Sequence, residues 1–181
     1  MSTGDMITFA GGGLISGIIR LATPRSHIAP VVRLMDYEGV EKRRFCLEAG
    51  PYGISLMLLS ERLKTYNGRA WWLPLRPEME PIRRYMGLWA FKQLGVKYDY
   101  LGLFSNALGR VSEDARKFFC SEFGWMAVRA GIAEICMRDL PGAKVLARNV
   151  EDDAKKIKGR AARPGDFLSF TGTFQKEFQI L

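Results

Sequence analysis

Residues 26–49 read SHIAPVVRLMDYEGVEKRRFCLEA, and the fold is set in this stretch. His27–Leu34 is apolar and β-branched, Arg43–Ala49 alternates, and Asp36-Tyr37-Glu38-Gly39 between them has turn chemistry. Two strands joined by a turn centred there make an antiparallel hairpin, which sets Glu48 opposite or diagonal to His27 on one face. Cross-strand neighbours bring their Cβ atoms to about 4.5–5.5 Å, or somewhat more on the diagonal. A slip of one residue would turn Glu48 to the other face, so the register carries the inference. Pro30 has no N–H to give to a ladder and predicts an edge or a bulge in the first strand.

Outward from the hairpin, Met6–Phe9 is a strand closed by Gly11-Gly12-Gly13, and Leu14–Leu21 has helical spacing up to Thr23-Pro24. Ile54–Leu59 and Ala70–Leu75 are further strands, with Asn67-Gly68 as a turn between them. Pro77–Leu94 carries a helical stripe of Met79, Ile82, Met86, Trp89, Ala90 and Leu94, ended by Gly95. Tyr98–Leu108 is aromatic-rich and irregular, and Phe118–Ile132 is a helix with Phe119, Phe123 and Ala127 on one face. Glu151–Arg163 reads as a charged loop, after which Arg163-Pro164-Gly165-Asp166 turns into a late strand, Phe167–Phe170. Strands gathered around one or two helices predict an α+β fold, with residues 1–181 as a single domain.

Composition narrows the chemistry. The 181 residues are 48% hydrophobic and 25% charged, enough for a core that stands without disulfides or a structural metal. Three cysteines, Cys46, Cys120 and Cys136, form no C-x-x-C pair, which argues against a disulfide scaffold and a zinc ribbon. His27 is the single histidine, so sites that need two imidazoles are excluded. A formal net charge of +8 favours an anionic surface or a larger assembly docked on a basic face, for which Lys155–Arg160 is the densest cluster. Charge alone, without a recognition motif, makes nucleic acid a poor partner. Gly11-Gly12-Gly13 lacks the lysine of a phosphate loop, and Trp71-Trp72 reads as strand packing.

The uncharged run Met6–Ile19 is shorter than a membrane span, and no basic segment precedes it. The expectation is a protein cytoplasmic as synthesised, which another machine or a virion would have to carry to a cell envelope.

Cys120 opens the segment Cys120-Ser121-Glu122-Phe123-Gly124-Trp125. A thiol at a helix N-terminus faces unpaired N–H groups and the positive dipole end, both of which stabilise thiolate. That requires the chain to break near Lys117–Phe119, although Ser112-Glu113-Asp114 also reads as a helix start. An imidazole activates a thiol by taking its proton, and a carboxylate on the neighbouring strand fixes the imidazole. Cys120, His27 and Glu48 make such a set. Cys46 shares the strand face of Glu48 and reads as packing, and Cys136 reads as structural.

Gly4-Asp5-Met6-Ile7-Thr8-Phe9, Ser26-His27-Ile28, Leu47-Glu48-Ala49 and Phe119-Cys120-Ser121-Glu122, in that order, resemble one family pattern. It is the circularly permuted papain-like group, the YiiX-like branch of the NlpC-type and lecithin:retinol acyltransferase-like superfamily. Tyr98-Asp99-Tyr100-Leu101-Gly102-Leu103 and the late Pro164-Gly165-Asp166 also resemble that pattern. The resemblance implies a mainly antiparallel central sheet packed on the cysteine-bearing helix. It implies Cys120 as nucleophile, His27 as general base and acid, and Glu48 as the residue orienting the imidazole. Oxyanion donors would be the Cys120 backbone N–H and a side chain, with Tyr100, Tyr98 and Ser121 as oxyanion or substrate candidates. It calls for no metal and no organic cofactor.

The chemistry so implied is thiol attack on an amide, an acyl-enzyme and hydrolysis, with cell-wall peptides as one substrate class. Lipid-linked acyl amides or esters, hydrolysed or transferred, are another. A rival of a different kind is a catalytically silent structural or adaptor subunit of a larger assembly, for example a phage particle.

Overall fold

Alternation of side chains along Met6–Gly11 sends Met6 to one layer of core and Ile7 and Phe9 to another, and a two-sided sheet grows from that strand. The computed structural model describes residues 1–11, 25–34, 43–50, 53–96, 113–157 and 162–181. Strand β1 is Met6–Gly11, β2 is His27–Val32, β3 is Phe45–Gly50, and β4 is Gly53–Leu58. Helix α1 (Leu59–Thr65) comes directly after, then β5 (Gly68–Leu73), and a 3-10 turn (Pro77–Ile82) that runs into α2 (Arg83–Lys92). After them come α3 (Glu113–Met137), α4 (Ala143–Ala154), a second 3-10 turn (Asp166–Ser169) and the short β6 (Phe178–Gln179). The expected helix at Leu14–Leu21 and the turn at Asp36–Gly39 lie outside the described residues.

The six strands form one sheet in the order β4-β3-β2-β1-β5-β6, and every paired neighbour is antiparallel. The fold is α+β, as expected. Helix α3 packs across β2 and β3 and against α2 on one face, where Met6, Ile28, Leu47 and Leu73 meet Phe123, Val128 and Met86. The other face is thinner: Ile7, Phe9, Ala29, Val31, Cys46 and Ala70 are covered by Leu59 of α1. Gly131 lets α3 approach the start of α2, since a Cβ there would lie 3.1 Å from the Ile82 carbonyl oxygen. Among the described residues no helix is long and apolar enough to cross a membrane.

Four readings of the sequence need correction. Helix α3 does not break before Cys120: residues 113–120 hold neither proline nor glycine, and the start at Glu113 governs the whole run. The loop expected from Glu151 is partly helical, because Ala143, Leu146, Val150 and Asp153 form one buried face of α4. The late strand at Phe167–Phe170 is a 3-10 turn instead. There Asp166 accepts from the Arg163 N–H at 2.8 Å, and the Phe167 and Phe170 rings pack 5.0 Å apart. Pro30 sits in an interior strand, not at an edge.

Strand β2 accommodates Pro30 by giving up part of its ladder with β3. The Val31 N–H points to β1 and donates to the Asp5 carbonyl at 2.7 Å, so the Pro30 nitrogen faces β3. Among the described residues the β2–β3 ladder accordingly holds Val31↔Cys46 and Val32↔Phe45, whereas β3 and β4 pair over six positions. A missing donor leaves the His27 end of the seam untied.

Candidate active site

His27 is the first residue of β2, on the sheet face covered by α1. Extending the Val31↔Cys46 register sets Glu48 diagonal to it, the arrangement the hairpin predicts. The Glu48 carboxylate lies with Oε2 3.5 Å from His27 Nε2, an ion-pair distance rather than a well-formed hydrogen bond. Its other oxygen, Oε1, accepts from Arg62 Nε at 2.5 Å and lies 3.8 Å from the Cys46 thiol. Arg62 belongs to α1, and its guanidinium stands 5.2 Å from the Phe9 ring and 4.9 Å from the Tyr66 ring. Phe9 also packs on the imidazole, with ring centroids 5.6 Å apart.

Cys120 belongs to α3 on the opposite face, yet its thiol is within hydrogen-bonding reach of the His27 imidazole. The untied end of the β2–β3 seam is where groups from the two faces meet. Of the expected set, then, Cys120, His27 and Glu48 come together. The Cys120 residue is fully buried, while the His27 and Glu48 side chains keep 21% and 13% of their surface exposed.

Electrostatics follow from this neighbourhood. Burial pulls the His27 pKa down, but the electrostatic influence of the adjoining Cys120, hydrogen bonding to it and the Glu48 carboxylate outweigh that and raise it to about 10. Burial would raise the Glu48 pKa; contact with His27 and Arg62 prevails and holds it at about 2. For Cys46, burial first and the Glu48 charge second push the thiol up to about 12, so it stays protonated and serves as packing.

The remaining candidates fare differently. Tyr98 and Tyr100 lie outside the described residues. Ser121 is buried and donates its hydroxyl to the Ala162 carbonyl at 2.6 Å, which ties α3 to the segment after α4. Cys120 is about two turns inside α3, where a backbone N–H donates to the carbonyl four residues earlier. That N–H is therefore engaged by the helix, and the expected dipole advantage, confined to the first turn, is absent. Trp71 is buried beneath Arg25, and Trp72 donates to Asp5 at 2.8 Å, in keeping with strand packing. Lys155 and Lys156, just past the end of α4, pair with Asp152 and Asp153 of that helix. A cavity of about 630 Å³ opens at the far end of β2, beside Val32, Arg33, Arg84 and Leu88, and touches none of the three residues.

Arg62 is the residue that sequence reasoning missed. An arginine one turn into an amphipathic segment carries no motif, and only the return of α1 over the sheet brings it to Glu48.

No family model and no curated protein matches the chain. Among solved structures it is similar to the metalloprotein YiiX from Escherichia coli O157:H7, with 21% identity over 99% of this chain and 96% of that one and a TM-score of 0.56. The chain shares that fold. The described residues do not fit a metal of their own: no three or more His, Cys, Asp or Glu side chains converge as ligands, and Arg62 already neutralises Glu48.

Proposed function

We propose that the protein is a cysteine-dependent amide hydrolase of permuted papain-like fold, with Cys120 as nucleophile, His27 as general base and acid, and Glu48 as the orienting carboxylate. The observation that carries the reading is the lone imidazole held between a carboxylate and a thiol. With Nε2 turned to Glu48, the other ring nitrogen is left for the thiol, the orientation in which an imidazole exchanges a proton with sulfur.

In this reading His27 carries the thiol proton and Cys120 Sγ attacks the amide carbonyl carbon. The imidazolium then passes its proton to the leaving amine as the C–N bond breaks, which leaves an acyl-thioester and neutral His27. Water, deprotonated by His27, attacks the thioester, releases a carboxylic acid and restores the thiol. Glu48 stays ionised throughout and stabilises the imidazolium. Peptide amides of the bacterial cell wall are the substrate class the family resemblance offers.

The test is native-state alkylation by iodoacetamide in a Cys136→Ser background, followed by cleavage assays on wall peptides and acyl amides. Buried Cys46, with its pKa near 12, stays silent to the reagent. Rapid labelling of Cys120 at neutral pH, lost in His27→Ala, is the expected result.

A second reading has its own observation: Cys120 is fully buried inside an unbroken helix, which favours a silent structural or adaptor subunit. A Cys120 that resists alkylation until the protein unfolds would decide for it.

A further inference from the structure

We infer that Arg62 is a positioning residue of this site: it grips the Glu48 oxygen turned away from His27 and so sets how firmly the imidazole keeps its proton. The inference rests on the hydrolase reading and adds a control element to it. Five contacts support it. Arg62 Nε meets Glu48 Oε1 at 2.5 Å, while Oε2 remains for His27 at 3.5 Å. The guanidinium is held over Phe9 and Tyr66, so its position is fixed from a second direction. Phe9 in turn lies against the imidazole, its ring centroid 5.6 Å away, so Phe9 touches both Arg62 and His27.

Charged and titratable groups reach the pair from each packed element. His27 faces Cys120 from α3 and Glu48 from β3. Glu48 faces Arg62 from α1 and the neutral Cys46 thiol of its own strand. Tyr66, at the end of α1, meets both Phe9 and Arg62. A guanidinium is charged at every working pH, so Arg62 permanently shares the Glu48 charge with the imidazole. Without it, the whole carboxylate charge would act on His27, and the imidazolium would hold its proton more tightly. A general acid that must release its proton to a leaving amine works best with a pKa near the operating pH, so this sharing favours turnover.

His27 is the single histidine, so its ring proton gives an unambiguous nuclear magnetic resonance titration in untagged protein. Arg62→Gln should move the His27 midpoint up by about one pH unit, and Arg62→Lys should leave it close to wild type. Arg62→Met keeps an apolar stem against Phe9 and Tyr66 and serves as the second neutral variant, with the same upward shift expected. In both neutral variants kcat on a cleaved amide should fall about tenfold with KM unchanged, following the weaker acid. An unmoved or lowered midpoint in folded Arg62→Gln or Arg62→Met overturns the inference, because a purely structural tie between α1 and the sheet would leave it there. Failure of the hydrolase reading is a separate result: Cys120 is then unreactive in wild type, whatever the midpoints do.

Discussion

Two carboxylates of this protein each pair with an arginine, and their surroundings could hardly differ more. Asp5, just before β1, is 2% exposed and accepts from four donors: Ser2 N at 2.9 Å, Trp72 Nε1 at 2.8 Å, Leu75 N at 3.0 Å and Arg83 Nη1 at 2.7 Å. It locks the chain start, the end of β5 and α2 together. Glu48 has one short contact, to Arg62, and holds His27 at the longer 3.5 Å. A carboxylate whose oxygens are all engaged at short range is fixed in place. One with a loose contact to an ionisable partner can tighten when that partner becomes charged. Both residues have the same formal chemistry; their donors separate scaffold from site.

Substitutions at the two places should part along the same line. The largest effect is expected from Cys120→Ala, which removes the nucleophile of the proposed hydrolase: kcat/KM on the best wall peptide should fall by at least about 10³-fold, with the circular dichroism spectrum retained. Next, Glu48→Gln should lower kcat by about 10²-fold and cost less stability than the loss of Asp5, since the neutral amide oxygen can still accept from Arg62. Asp5→Ala reverses the pattern. It leaves Arg83 and the Trp72 N–H without their buried acceptor, and urea titration should show a loss of about 3 kcal/mol while activity per folded molecule is unchanged. Equal stability losses at Asp5 and Glu48 would erase the distinction.

The pH dependence of stability sharpens it further. The folded-state pKa of His27 is raised from 6.5 to about 10, so the stabilisation it gives is complete below pH 6.5 and is lost as pH climbs to about 10. For Glu48 the value is lowered from 4.5 to about 2, so its contribution is complete above pH 4.5 and disappears as pH falls towards 2. Urea midpoints should therefore be highest between those windows, and His27→Gln should flatten the alkaline slope. Smallest of all is Cys136→Ser. This exposed side chain makes a weak contact, 3.9 Å from the Ala143 carbonyl, and its replacement should stay within about 0.5 kcal/mol.

Much of the sheet was legible because strand periodicity is local. His27–Val32 and Phe45–Gly50 coincide closely with the stretches read as strands, and their register keeps His27 and Glu48 on one face. Side chains repeat with a period of two, so a shift by two residues, from directly opposite to diagonal, leaves that face unchanged. Helix α4 was also visible in principle at Ala143, Leu146 and Val150, but the dense charge after Val150 masked its apolar stripe. The 3-10 turn at Asp166–Ser169 was harder, since two phenylalanines three apart suit either a strand or a turn until their packing partners are known.

Local sequence was enough to specify the antiparallel hairpin, the pairing of His27 with Glu48 and the identity of a lone imidazole beside a small set of thiols. Each of these depends on alternation, turn residues or composition, which are properties of short chain segments. Long-range packing was needed for the rest: Pro30 opens the β2–β3 seam from inside the sheet, Cys120 approaches His27 from the opposite face, and α1 folds back to set Arg62 on Glu48. Those outcomes depend on which elements pack together across long separations in the chain, and no local pattern encodes a contact whose two halves belong to different faces of a sheet.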